Sequence, residues 1–220
     1  MKDDETDRIP MFPLGLVLLP RMPLPLHIFE ERYQRMIQQC IDTDTPFGVL
    51  LHTGSTVQTV GCLAQVDSVI NTYDDGRMDI LAVGTERFSV VQMFDEKPYL
   101  EAEVEVFHDE PTDGEDSGQI HALAYSAVQD LEAFAEIAGY TIDRKMIDNL
   151  NTEELSFLLA TTDVFSTEEK QQFLELRSTA ARMRRASRAI ERSKERLAMS
   201  RKIREILGKS RDEDITHLFN

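Results

Sequence analysis

The chain has 220 residues, 41% of them hydrophobic, with 11 Phe, 9 Met and no Trp, enough for one large domain or two small ones with roughly 70% of the unfolded surface buried. This composition excludes collagenous, low-complexity and wholly disordered classes. The formal net charge of −16 is uneven: residues 177–209 hold 12 Lys and Arg against three Glu, a net of +9, so the rest of the chain carries −25.

Residues 1–8 are charged and lack the apolar core of a secretory signal. The longest apolar stretch, Leu14 to Leu19, is too short to span a bilayer, so no membrane association is expected. Five of the eight prolines crowd into residues 10–25. Proline cannot donate to a ladder, so this segment reads as short extended pieces near Met11–Phe12, Leu16–Leu18 and Leu24–Ile28. Residues 30–41 place Tyr33, Met36, Ile37, Cys40 and Ile41 on one helical face. Strand patterns follow at 47–52, 61–73, 78–83, 88–94 and 99–107, with Asp74-Asp75-Gly76 as a hairpin turn and Gly84 as a break.

Residues 109–118 contain no apolar side chain and read as a linker. After it the period changes to that of helices. Ile120, Leu123, Ala124, Ala127, Val128 and Leu131 form a stripe, and Gly139 suits a helix end. Asn151–Glu154 and Ser166–Glu169 have the form of capping boxes. They predict a short helix over 152–161 and a long one from 167 to about 207, the second half of which projects. The expected organisation is thus α+β: a charged, disordered N-terminus (1–8), a mostly β lobe with one helix (9–108), the linker (109–118), an all-helical lobe ending in a long helix (119–209) and a tail (210–220).

Catalytic signatures are missing: there is no phosphate-binding loop, dinucleotide fingerprint, nucleophile elbow or His-Glu-x-x-His. His27 and Glu30 straddle a strand-to-helix junction without further ligands, short of the three or four that zinc needs. Glu30 reads instead as charge at a helix start and His27 as core edge. Cys40 and Cys62 are isolated and read as small core residues in a reducing, cytoplasmic setting. No cofactor or metal is expected.

Six short motifs occur in order: Met11-Phe-Pro-Leu-Gly-Leu-Val-Leu-Leu-Pro20, Pro23-Leu-Pro-Leu-His-Ile-Phe-Glu-Glu-Arg-Tyr33, Phe47-Gly-Val, Asp75-Gly-Arg-Met-Asp-Ile80, Gly84-Thr-Glu-Arg-Phe88 and Pro98-Tyr-Leu-Glu-Ala-Glu-Val104. Together they resemble the N-terminal, substrate-binding domain of Lon proteases across about residues 9–107. The helical part is similar to the helical subdomain that follows there, more loosely. The resemblance implies a curved, barrel-like, mostly antiparallel β lobe with one helix, then a helical bundle, and a role in capturing protein substrates. Lon's ATPase and Ser–Lys peptidase lie downstream of this region and the chain stops at Asn220, so a stand-alone, non-catalytic module is expected. The family carries no catalytic residue onto these positions.

The first functional reading is a module for unfolded or exposed apolar polypeptide, with Leu16, Met22 and Leu24 as contact candidates and a β edge beside the prolines open to strand addition. The second is an adaptor for a folded partner, such as a protease assembly, through Arg184, Arg185, Arg188, Arg192 and Arg196 of the basic helix. Nucleic-acid binding by that helix is a weaker alternative, which predicts a steep salt dependence of binding.

Overall fold

The computed structural model describes residues 8–110 and 117–216. The expected charged N-terminus up to residue 7, the linker at 111–116 and the last four residues of the tail lie outside the described residues. The chain divides into two compact units, Met1–Thr112 with Phe165–Ser178, and Asp113–Val164 with Thr179–Asn220.

The first unit holds β1 (Ile9–Leu14), β2 (Pro23–Ile28), α1 (Glu31–Thr43), β3 (Phe47–Thr53), β4 (Thr56–Thr72), β5 (Met78–Phe94), β6 (Glu101–Phe107) and α5 (Thr167–Glu175). The sheet order is β2-β5-β4-β3-β1-β6, and β6 also pairs with β5, so five strands form a ring with β2 outside it on β5. Among the described residues only the β1–β3 pairing is parallel. The ring is not a true barrel, because β1 and β6 share just the pairs Ile9–Ala102 and Pro10–Glu101. Met11, Leu50, Leu63, Phe88 and Ala102 pack at its centre. The curved, mostly antiparallel β lobe with one intervening helix is therefore present as expected.

Two details depart from the sequence reading. Gly84 does not end a strand; β5 runs straight through it for 17 residues. Here the chain from Leu19 to Met22 makes a tight turn, with Met22 N–H donating to Leu19 O at 3.2 Å and Arg21 in the left-handed region (φ 66°). Pro20 before a positive φ is the arrangement of a type II turn. Arg21 N–H then donates to Gly84 O at 2.8 Å and Gly84 N–H to Met22 O at 3.0 Å. A Cβ at Gly84 would lie 2.4 Å from the Leu19 carbonyl oxygen, so the glycine permits close backbone approach. The Leu16–Leu18 piece is assigned to no strand, and Leu18 and Leu19 are buried.

The second departure is the long helix expected from residue 167. It is two helices, α5 and α6 (Thr179–Thr216), separated by an extended Leu176 (φ −67°, ψ 127°). Buried Arg87 of β5 donates to Leu174 O at 3.2 Å and to Leu176 O at 2.6 Å, capturing carbonyls that a continuous helix would have used itself. Gln171 Nε2 donates to Val60 O at 3.0 Å, and Phe165 meets Phe173 edge-on at 4.8 Å. The Arg87 and Gln171 bonds keep α5 on the β unit. Both capping boxes exist, Asn151 with Glu154 on α4 (Thr152–Ala160) and Ser166 with Glu169 on α5.

The second unit packs α2 (Ser117–Ala138) and α4 against α6, with short α3 (Arg144–Asp148) between α2 and α4 in sequence. Ala180, Met183, Ala186, Ala189 and Ile190 of α6 are buried, whereas Met199, Ile203 and Ile206 are exposed. The core residues of α6 thus lie between 180 and 190, and the three apolar residues at 199, 203 and 206 lie outside it. Among the described residues no helix is long and apolar enough to cross a membrane.

Candidate functional site

The alternation of β2 builds the site. Leu24 and Ile28 turn inward, and Pro23, Pro25 and His27 turn outward. Phe29, next in the outward phase, is 63% exposed. Its carbonyl accepts from Gln34 Nε2 at 3.0 Å, which fixes the chain just before α1. Glu30 is the extended N-cap residue of α1, but its side chain makes no capping bond; it takes Arg32 instead, at 2.8 Å. Tyr33 follows as the first buried residue of α1 and stacks on Phe12 of β1 with centroids 4.2 Å apart.

A groove of about 630 Å³ opens here. Its walls are the end of β1 (Phe12, Pro13, Leu14), the β2–α1 junction (Leu26 to Glu30, with Arg32 and Tyr33) and the β5–β6 connection (Asp95 and Lys97 to Leu100). His52 and Val57 of the β3–β4 hairpin complete it. Tyr99 is buried and donates to Gln39 Oε1 at 3.1 Å. The result is an aromatic and aliphatic floor with Phe29 on the lip and charged groups around it.

Those charges are mostly paired. Lys97 Nζ lies 2.7 Å from Glu101, and that hydrogen bond holds the amine above its ordinary pKa. His27 is exposed, not at the core edge, with Nδ1 2.6 Å from Asp79 Oδ1. Tyr73 donates to the other Asp79 oxygen at 2.8 Å. These two bonds, His27 first, hold the Asp79 carboxyl below the usual carboxylate range. An ionised carboxylate only accepts, so His27 Nδ1 is the donor. The His27 ring also stacks near Phe29, at 6.1 Å. Among the described residues the groove lining contains no Ser, Thr or Cys. No cluster of three or more His, Cys, Asp or Glu able to hold a metal ion occurs among the described residues.

The residues singled out from the sequence fall elsewhere. Leu16 is 39% exposed, Met22 is half-buried, and Leu24 is 5% exposed and belongs to the core. None of the three lines the groove, although the same proline-rich stretch supplies Pro13, Leu14, Leu26 and Ile28 to it. Leu24 is a correction: it faces the inner side of β2 because it shares the parity of Ile28. The expected open edge is also blunted. Pro25 sits mid-strand, where its nitrogen must face away from β5, so the outer edge of β2 lacks N–H donors at Pro23 and Pro25. Phe29 was missed, yet its signal was in the sequence: it continues the outward parity of Pro23, Pro25 and His27 along β2.

In the second unit, Arg184, Arg188, Arg192 and Arg196 are exposed at steps of four along α6, and Arg185 is half-buried. Arg182, in the same basic run, is buried; it donates to Ser156 Oγ at 2.8 Å and lies over the Phe157 ring at 4.1 Å. A second hollow of about 870 Å³ in this unit is lined by residues including Leu131, Phe134, Ile147, Leu158, Arg196 and Leu197.

A family profile described as the ATP-dependent protease La (LON) substrate-binding domain matches residues 8–192. The chain belongs to the Lon substrate-binding domain family. It is 26% identical over 226 residues to Lon protease 2 of Herpetosiphon aurantiacus, a match covering 97% of this chain and 27% of that protein. It is 26% identical over 216 residues to Lon protease of Anaeromyxobacter dehalogenans, covering 92% of this chain and 25% of that protein. The chain thus spans about a quarter of the length of the curated Lon relatives it matches. Among solved structures, the N-terminal domain of Mycobacterium avium complex Lon protease aligns with TM-score 0.65 and 16% identity, over 83% of this chain and 97% of that one. A Lon N-terminal domain protein from Xanthomonas campestris aligns with TM-score 0.61 and 23% identity, over 81% of this chain and 95% of that one. Both share the Lon N-terminal domain fold.

Proposed function

We propose that this chain is a non-catalytic capture module that binds apolar segments of unfolded polypeptide in the groove between β1, the β2–α1 junction and the β5–β6 connection. The observation that carries the reading is Phe29, a large aromatic ring 63% exposed at the lip of an apolar groove. Such a ring offers rigid apolar contact area at small entropic cost, and a charged rim around an apolar centre is the anatomy of polypeptide interfaces. The family's description as a substrate-binding domain supports it. A reducing, cytoplasmic setting fits two free, buried cysteines.

The test is anisotropy of a labelled unfolded polypeptide with the wild type and with Phe29→Ala, alongside fragment release with and without ATP. Binding without cleavage, weakened about tenfold or more by Phe29→Ala, is expected. ATP-dependent cleavage by the purified chain overturns the non-catalytic part, and unchanged affinity in the variant overturns the site.

A second reading, an adaptor for a folded acidic partner such as a protease assembly, is favoured by the exposed row Arg184, Arg188, Arg192 and Arg196. Charge reversal along that row abolishes partner capture under this reading and leaves polypeptide binding intact. Steeply salt-dependent capture of nucleic acid instead reassigns the row.

A further inference from the structure

We infer that the groove discriminates by charge, taking apolar segments flanked by basic residues in preference to the same segments flanked by acidic ones. The inference rests on the capture reading above and adds the chemistry of what is captured. Residues 8–110 carry seven Lys and Arg against 16 Asp and Glu. Six of those seven cations already hold a carboxylate of the same segment: Arg8 with Glu96, Arg32 with Glu30, Arg35 with Glu31, Arg77 with Asp75, Arg87 with Asp109 and Lys97 with Glu101. Most of the carboxylates therefore have no Arg or Lys of the segment beside them, and the field around the unit is negative.

The groove shares that field. Its two lining cations, Arg32 and Lys97, are each held by a glutamate, whereas Asp95 lies on its wall with no ion pair among the described residues. A cationic side chain next to an apolar anchor finds both Asp95 and the Phe29 ring among the groove's lining residues. Both attract it, the first by charge and the second through the ring quadrupole. A glutamate in the same place meets repulsion and an unfavourable ring face. Because the acidic groups act over a Debye length of about 8 Å at physiological salt, the preference extends to residues flanking the anchor and not to the anchor alone.

The test uses three labelled peptides with one Phe- and Leu-containing core, flanked by lysines, serines or glutamates. Anisotropy is measured at low and high ionic strength with the wild type, Phe29→Ala and Asp95→Asn. The expected order is lysine, serine, glutamate, with the lysine peptide about tenfold tighter than the glutamate peptide at low salt and the gap closing to about twofold at high salt. Asp95→Asn is expected to weaken the lysine peptide about twofold to threefold and leave the serine peptide unchanged. Equal binding of all three that remains sensitive to Phe29→Ala overturns the charge preference and spares the capture reading. A preference for the glutamate peptide, or a lysine preference indifferent to both variants, overturns the inference. Binding of none removes the capture reading and this inference with it.

Discussion

The guanidinium of Arg87 donates to the carbonyl oxygen of Leu176 at 2.6 Å, across 89 residues of sequence. The same side chain reaches Leu174 O and Asp109 Oδ1 and lies over the Phe107 ring at 4.8 Å. One buried cation thus ties β5, the end of β6 and the end of α5 together. Arg87 is 2% exposed, so its removal takes one buried charged donor from Asp109 and from two carbonyls. Arg87→Ala is expected to lower the unfolding free energy by about 3–5 kcal/mol, measured by denaturant unfolding. Arg87→Lys keeps the charge but not the fork of donors, and recovers only part of the loss.

Gly84→Ala tests the close approach of the Leu19–Met22 turn to β5. The obstacle is a backbone oxygen 2.4 Å from the new Cβ, which no side-chain rotation can relieve. A loss of about 1–3 kcal/mol is expected. Alanine at the exposed turn position Gly15, where an added Cβ meets nothing within 4 Å, serves as the control.

Asp79 gives a pH signature. Its hydrogen bonds from His27 and Tyr73 hold its pKa below the ordinary value. The folded state therefore favours the ionised form. The resulting stability is present at neutral pH and is lost as pH falls below about 4, through the depressed folded value. His27→Ala is expected to move the Asp79 carboxyl back up toward its ordinary range, read by NMR titration of the side-chain carboxyl carbon. A downward shift, or none, contradicts the assigned bond.

The cysteines are predicted to be inert in the folded protein. Burial pushes the Cys40 thiol up to about 11 and the Cys62 thiol up to about 12, and the thiolate is the reactive species. An aromatic disulfide reagent at about pH 8 should find neither thiol in the native state and both after denaturation. Rapid native labelling of either contradicts their place in the core.

Much of this fold was legible. The 2.0 and 3.6 periodicities located the strands and helices, and Asp74-Asp75-Gly76 forms the β4–β5 hairpin with Gly76 at φ 85°. What periodicity cannot carry is a contact between distant segments. Gly84 looked like a strand break because the demand on it comes from Leu19, 65 residues earlier in the chain. The break at Leu176 was hidden because Arg87 imposes it. Glu101 shares the alternation of Glu103 and Glu105, which predicts an outward side chain, yet it is buried and paired with Lys97. The candidate site was half legible: the proline-rich stretch does line the groove, but parity turns Leu24 inward and leaves Phe29 on the surface.

The most direct measurement of the capture claim is an NMR titration of the isotope-labelled protein with an unfolded polypeptide. The account predicts amide perturbations concentrated at residues 27–33 and 95–100, around the groove. Perturbations confined to α6 or to the hollow lined by Leu158 and Leu197, or none at all, would contradict it.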